Sequence, residues 1–247
     1  METALSGKFS GKDDARRWVW DRLVLEGIAR PPFPAHGRIP NFQGAKDAAR
    51  RLFEHPPWRD ARFIKVSPDS PQRWVRLAAL ELGKIVLVPS PKLAGGFFRL
   101  DPARIPASRF SEAALRQTMS RWAEPVALDD LPQLDAIVAG SVAVTATGKR
   151  CGKGAGYSDL EYALLLELGH RPAPVATTVA DQQVVEDFPA DTTDLPLALI
   201  CTPTRSVAVA AGRAGPAGIQ WGRLSPVDLE AMPVLEEVRR RAPDGLI

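Results

Sequence analysis

Gly148-Lys-Arg-Cys-Gly-Lys-Gly-Ala-Gly-Tyr-Ser-Asp-Leu-Glu-Tyr162 carries glycines at every second position, Gly152, Gly154 and Gly156, beside the cations Lys149, Arg150 and Lys153. An apolar strand pattern over 136–144 leads into it, and a helical pattern over 158–168 leads out. Glycine lets the backbone take positive φ and approach a ligand closely. The start of a helix presents unpaired N–H groups and a positive dipole end. Backbone donors, dipole and side-chain cations together make a site for phosphate or another anion. The plainer alternative is a tight strand-to-helix turn in which the glycines serve packing. The spacing is neither the Gly-x-Gly-x-x-Gly of dinucleotide-binding folds nor the P-loop with its terminal Lys-Ser/Thr.

Outward from this loop the chain alternates between short apolar runs and helical patterns. Helical periodicity covers 11–29, where Trp18, Val19, Leu23, Val24 and Ile28 recur near 3.6 residues and Pro31-Pro32 closes the element. Further helices are expected at 43–54, closed by Pro56-Pro57, and at 72–82 and 111–117. Buried strands are expected at 62–66, 84–88, 136–144, 175–179, 197–200 and 207–211. Val- and Ile-rich strands separated by helices indicate an α/β fold with a mostly parallel central sheet and helices on both faces. Ligands in such sheets bind beyond the carboxyl ends of the strands. The post-strand loops 67–71, 89–96 and 145–157 are therefore expected at one edge. Residues 1–247 read as a single domain, with 212–247 a C-terminal extension that turns helical around 234–241.

Composition narrows the function. The 247 residues are 45% apolar and 25% charged, with a formal net charge of +3 and a pI near 9.0. That mild excess of cations fits an anionic small molecule, and no dense basic stripe calls for nucleic acid. Two cysteines, Cys151 and Cys201, and three scattered histidines give neither a disulfide framework nor a zinc set. No apolar run reaches the roughly 20 residues of a membrane span, so a cytoplasmic location is expected.

Several residues could serve an anionic ligand. Lys12 and Arg16 share a helix face at i and i+4, although a solvated surface is the simpler reading of the pair. Asp159, early in the helix after the glycines, could cap that helix or hold Mg²⁺ against a polyphosphate. Arg73 and Arg76 fall in a helix's first turn, where a cation opposes the dipole, which leans toward a ligand role. Lys84 opens a strand and could simply cover its edge. Lys92 lies on a strand-end loop, a better place for an anionic substrate. Asp181 and Asp194 lie on loops that could reach the ligand. Cys151 lacks the partners of a nucleophile.

With these residues in hand, a resemblance emerges. Arg150-Cys-Gly-Lys-Gly-Ala-Gly-Tyr-Ser-Asp159 resembles the Arg-x-Gly-x-Gly-x-Gly-Tyr-Tyr-Asp signature of the 5-formyltetrahydrofolate cyclo-ligases, also called methenyltetrahydrofolate synthetases. Lys12-x-x-x-Arg16 is similar to that family's basic helix. The likeness is strongest to a divergent branch, the methenyltetrahydrofolate synthetase domain-containing proteins. Arg38-Ile-Pro-Asn-Phe-x-Gly-Ala45, Pro68-Asp-Ser-Pro71, Gly140-Ser-Val-Ala-Val144, Thr202-Pro-Thr-Arg205 and Gly218-Ile-Gln-Trp221 carry it.

The resemblance implies a fold like that of the ribose-phosphate isomerase and CoA-transferase superfamily. It implies ATP, Mg²⁺ and a folate or similar heterocycle, joined in an ATP-dependent closure of 5-formyltetrahydrofolate to 5,10-methenyltetrahydrofolate. Phosphorylation of the formyl oxygen would precede ring closure. Carried over by position, Lys12, Arg16, Arg150, Gly152, Lys153, Gly154 and Gly156 would hold the triphosphate. Tyr157 would pack at the nucleotide or folate edge, Arg150 and Lys153 would serve catalysis, and Asp159 would hold Mg²⁺. The chain departs from the family at Ser158, where a second tyrosine stands, and beyond the strand ending at Pro68-Asp69-Ser70, where a folate-contacting glutamate is missing. It departs from the branch at Ala180 and Thr193, both histidine there, and at Ala198, an aspartate there. The alternatives are a paralogue acting on another substrate, thiamine-related for instance, and a non-enzymatic nucleotide or folate binder.

Overall fold

The computed structural model describes residues 7–93, 95–210 and 215–241, the side chains of Lys92, Asp228, Ala231 and Arg241 apart. Helix α1 (Lys12–Leu25) is followed by a two-stranded ribbon, β1 (Ala29–Arg30) and β2 (Asn41–Phe42), and by α2 (Ala45–Leu52) and α3 (Pro56–Arg59). Next come β3 (Phe63–Val66), α4 (Arg73–Glu81), β4 (Ile85–Pro89), β5 (Phe97–Leu100), the single turn α5 (Phe110–Ala113), β6 (Glu124–Val126) and β7 (Ala136–Val138). Then follow β8 (Ala143–Thr145), β9 (Arg150–Cys151), α6 (Tyr157–Glu167), β10 (Val175–Thr178) and β11 (Val184–Val185). The chain continues through β12 (Leu199–Cys201), β13 (Ser206–Ala208), α7 (Pro226–Ala231) and α8 (Pro233–Arg241).

Eight strands form the main sheet in the order β13-β12-β10-β7-β3-β4-β5-β6. The five in the middle are parallel, and antiparallel strands finish both edges. Strand alternation sorts the core. Ile64, Val66, Val86, Val88, Ala136 and Val138 pack with Leu52, Trp58, Val75, Ala79 and Leu80, on the face covered by α2–α5. Leu87, Ile137 and Ile200 pack on the other face with Leu164, Leu165, Leu235 and Val238, from α6 and α8. A third cluster joins Ala15, Val19 and Leu23 of α1 to Val142, Ala143 and Cys151 around a small sheet of order β11-β8-β9.

From β3 the chain adds β4 on one side, then crosses back to add β7 on the other. That reversal is a topological switch, and a crevice opens beyond the carboxyl ends of β3 and β7. The loops 67–69 and 139–142 leave from those ends. The expected strand over 136–144 is two strands in two sheets, parted at Gly140-Ser141. Arg150 holds the Gly140 carbonyl through Nε (3.1 Å) and Nη2 (2.9 Å), and Gln183 Nε2 donates to the carbonyls of Ser141 (3.0 Å) and Val142 (2.9 Å). These bonds satisfy the carbonyls that a continuing sheet would have paired.

Other differences are local. Pro56-Pro57 opens α3 rather than closing the helix before it, in keeping with proline's fitness for a first turn. Helix α1 stops at Leu25, and Gly27 at φ +65° redirects the chain well before Pro31-Pro32. The expected helix at 111–117 is the single turn α5. Strands β5 and β6 were not expected; Pro125 in β6 suits an edge position. In the C-terminal stretch, residues 212–214 and 242–247 of the expected extension lie outside the described residues, as does residue 211 of the strand expected over 207–211. Its part from 215 to 224 lines the cavity described next, and α8 packs against α6.

Candidate functional site

A cavity of about 640 Å³ occupies the switch crevice, within the size of small-molecule sites. Lys12, Arg16, Arg150, Gly152, Lys153, Gly154, Gly156, Tyr157 and Asp159 all line it, although the sequence spreads them over almost 150 positions. The post-strand loops supply Ser67, Pro68, Asp69, Ser90 and Pro91.

The glycine run is the bend between β9 and α6. Gly156 takes φ +67° at the helix N-cap, a conformation costly for other residues. Gly152 is needed for close approach, since a Cβ there would stand 2.9 Å from Arg150 Nη2. Helix α1 lies against the loop, with Arg16 Nε donating to the Gly152 carbonyl at 2.7 Å and Arg16 Nη1 to Asp13 at 2.5 Å. Lys12 Nζ donates to Asp194 Oδ1 at 2.5 Å. Arg150 is buried, and besides the Gly140 carbonyl its Nη1 reaches Asp159 Oδ1 at 3.1 Å. The same Asp159 oxygen accepts the Leu195 N–H at 2.9 Å. Lys153 is loosely held, 44% exposed and 3.8 Å from Asp69.

The cavity thus pairs cations with carboxylates. Arg223, from the C-terminal stretch, meets Asp191 at 3.2 Å, and hydrogen bonds from Arg223 and the Thr193 N–H hold the Asp191 carboxyl well below the usual range. Arg116 adds a further cation. At the inner wall Glu161 of α6 forms a buried ion pair with Lys65 of β3. Burial pushes the Glu161 carboxyl up, against the pull of Lys65.

Asp194 reaches the cavity, but other candidates do not. Asp181 Oδ1 accepts from the hydroxyls of Thr202 and Thr204, each at 2.6 Å, away from the cavity. Arg73 stacks over Trp74 outside the cavity. Arg76 is fully buried and clamps the 67–69 loop, donating to the carbonyls of Ser67 (2.6 Å) and Ala114 (2.9 Å), and burial lowers it to about 10. The lean of both arginines toward a ligand role is therefore corrected: Arg76 shapes the site from behind. Lys84 is buried, bonded to the carbonyls of Arg59 (2.5 Å) and Ala61 (2.8 Å). The Lys92 side chain lies outside the described residues. Cys151 is buried, and burial raises its thiol. Sequence reasoning passed over Lys65, Asp69, Arg116, Glu161, Asp191 and Arg223. Only Lys65 left a local mark, as a cation inside an apolar strand.

The fold and cavity define an α/β protein with a glycine-rich, cation-lined loop at a sheet switch point. The model of the 5-formyltetrahydrofolate cyclo-ligase family matches residues 28–203. The chain is 41% identical over 237 residues to the mouse methenyltetrahydrofolate synthase domain-containing protein, covering 93% of this chain and 63% of the relative. The human counterpart is 36% identical over 237 residues, covering 93% and 62%. The chain therefore spans about three fifths of the length of these curated relatives. Its fold is similar to the solution structure of Aquifex aeolicus 5,10-methenyltetrahydrofolate synthetase, with a TM-score of 0.52 and 18% identity over 83% of this chain and 96% of that one. The chain belongs to the 5-formyltetrahydrofolate cyclo-ligase family.

Proposed function

We propose that the protein converts 5-formyltetrahydrofolate to 5,10-methenyltetrahydrofolate in a reaction dependent on ATP and Mg²⁺. The observation that carries this reading is the convergence of Lys12, Arg16, Arg150, Lys153 and the glycine backbone on a single cavity. When bound, ATP supplies the phosphoryl group that makes the formyl oxygen a leaving group. Phosphoryl transfer asks the protein for positioning and charge neutralisation rather than a nucleophile, which suits a cavity rich in cations with a protonated, buried Cys151.

The N–H groups at the start of α6, with Lys12, Arg16 and Lys153, would hold the triphosphate. Arg150 spends three of its five N–H groups on Gly140 and Asp159, leaving two for an anion. Lys153, held only loosely by Asp69, is the cation best able to follow charge as it moves. Asp159 fits a magnesium ion carried on phosphates: Oδ1 is used by Arg150 and Leu195, and Oδ2 remains. Magnesium usually takes one or two carboxylates plus phosphate oxygens. Among the described residues no three His, Cys, Asp or Glu side chains gather as a metal cage, so the phosphates would supply its remaining ligands. Tyr157 would flank the nucleotide, and the Ile219 and Leu224 walls would exclude water from the reacting groups.

Purified protein mixed with ATP, MgCl₂ and 5-formyltetrahydrofolate should develop the methenyl absorbance. No absorbance, with ATP binding evident by calorimetry, would overturn the reading and turn it toward a relative that keeps the nucleotide end and acts on another acceptor.

A further inference from the structure

Strand β3 places one charged side chain on the α6 face of the main sheet. Lys65 is in register with Leu87 on one neighbour and Ile137 on the other, and both are buried apolar residues. An aliphatic side chain would fill the Lys65 position as its neighbours fill theirs. Lys65 is instead 1% exposed and paired with Glu161. A buried ion pair is often no more stable than apolar side chains of the same volume, so packing alone does not account for it.

Glu161 differs from its partner in one respect: it lines the cavity, and Lys65 does not. The Lys65 bond uses Oε2, which leaves Oε1 for the cavity. Glu161 follows Tyr157 by four residues, so it lies about 6 Å deeper along α6 than the glycine loop. Pro68, Pro91, Ile219 and Leu224 also line this cavity, and they offer flat apolar surface.

We infer that Glu161, oriented by Lys65, forms a subsite for a neutral planar ring bearing adjacent N–H donors, at the inner end of the cavity from the glycine loop. The pair carries no net charge, so it neither calls for a cationic ligand nor tolerates an anion against the carboxylate. Asp69 and Arg150 are the other charged groups felt by Glu161; Asp69 adds a second repulsion for phosphate, and Arg150 spends three of its five N–H groups on Gly140 and Asp159. Glu161 touches the ring directly, while Lys65 is a positioning residue. The inference rests on the proposed function for the identity of the ring, the aminopyrimidine portion of a folate.

The test uses 6-hydroxymethylpterin and its 2-dimethylamino analogue, which lacks the amino N–H donors, with Mg²⁺·ATP as the control ligand. By calorimetry the wild type should bind the first about tenfold or more tightly than the second, the range of a hydrogen bond to a charged group. The double variant Lys65→Met/Glu161→Met replaces the pair with apolar volume and should fold. It should bind Mg²⁺·ATP within about twofold of wild type and lose the preference between the two rings. Lys65→Met alone should raise the KM for the folate more than it lowers kcat. Equal or no binding of the two rings by wild type, or a preference that survives in the double variant, overturns the inference. A ring preference in wild type without methenyl product leaves the subsite standing and removes the proposed reaction instead.

Discussion

Replacing Arg150 with methionine should destabilise the fold as well as the site. The guanidinium is 4% exposed and joins three parts of the chain: β9, which carries it, the Gly140 corner where β7 leaves the main sheet, and the first turn of α6 through Asp159. Methionine fills similar volume, so little cavity forms. It leaves the Gly140 carbonyl without its two donors and Asp159 without its counter-charge. Breaking one partner of a buried pair costs about 3–5 kcal/mol. At roughly 2–4 °C per kcal/mol for a chain of this size, the melting temperature should fall by roughly 6–20 °C. Urea unfolding at neutral pH would measure the loss. Arg150→Lys restores the charge but not the fork that reaches Gly140 and Asp159 together, so it should recover only part of the deficit. A loss below about 1 kcal/mol in Arg150→Met would refute the claim that this side chain holds the corner, and its burial would then need another explanation.

Lys153→Ala should weaken Mg²⁺·ATP binding by about 1.5–3 kcal/mol, the range for a charged hydrogen bond, while its exposure keeps the melting temperature close to wild type; unchanged affinity in calorimetry would make the glycine loop a structural turn. Burial depresses the His170 imidazole, so its contribution is complete above its unfolded value of 6.5 and is lost as pH falls through that value toward the lower folded one. His170→Gln should accordingly flatten the stability profile on the acid side of neutrality, and a profile parallel to wild type would show that another group sets the slope. Cys201 is buried and pushed up to about 11 by that burial, so native protein at pH 8 should react with a thiol reagent only as fast as it opens, and prompt stoichiometric labelling would contradict the packing.

What the sequence made legible was local. The glycine loop announced itself because its cause, backbone freedom next to cations, lies within ten residues. The strands β3, β4, β10 and β12 announced themselves through short runs rich in apolar residues. The run over 136–144 hid a change of sheet, because the apolar pattern is the same for one strand or for two. Gly140 was its single local mark, and the bonds that make the corner come from Arg150, 10 residues away, and Gln183, 41 and 42 residues away. The antiparallel strands β5 and β6 are too short for alternation to register. Arg76 looked like a ligand-binding cation in its helix turn. Its true partners are loop carbonyls that only the tertiary fold brings beneath it. Lys65 and Glu161 are 96 residues apart; Lys65 shows locally only as a cation inside an apolar strand, and Glu161 alone is an ordinary helix residue.

The position of the cavity follows from the order in which strands join the sheet. Because β7 joins on the opposite side of β3 from β4, the loops after β3 and β7 diverge, and no helix fills the space between them. Two residues show how tightly that space is used. A Cβ on Gly140 would stand 2.7 Å from Asp69 Oδ2, so the β7 corner and the β3 loop touch backbone to side chain. The Arg150 fork then fixes the corner from the glycine-loop side. One guanidinium therefore couples the carboxyl end of the parallel sheet to the start of α6, where a phosphate would sit. The glycine-loop side and the Glu161 side of the cavity share helix α6, through Tyr157 and Asp159 at one level and Glu161 at the next. Any displacement of α6 would move both ends together, which is the arrangement required if a phosphoryl donor and a ring-bearing acceptor are to meet in one orientation.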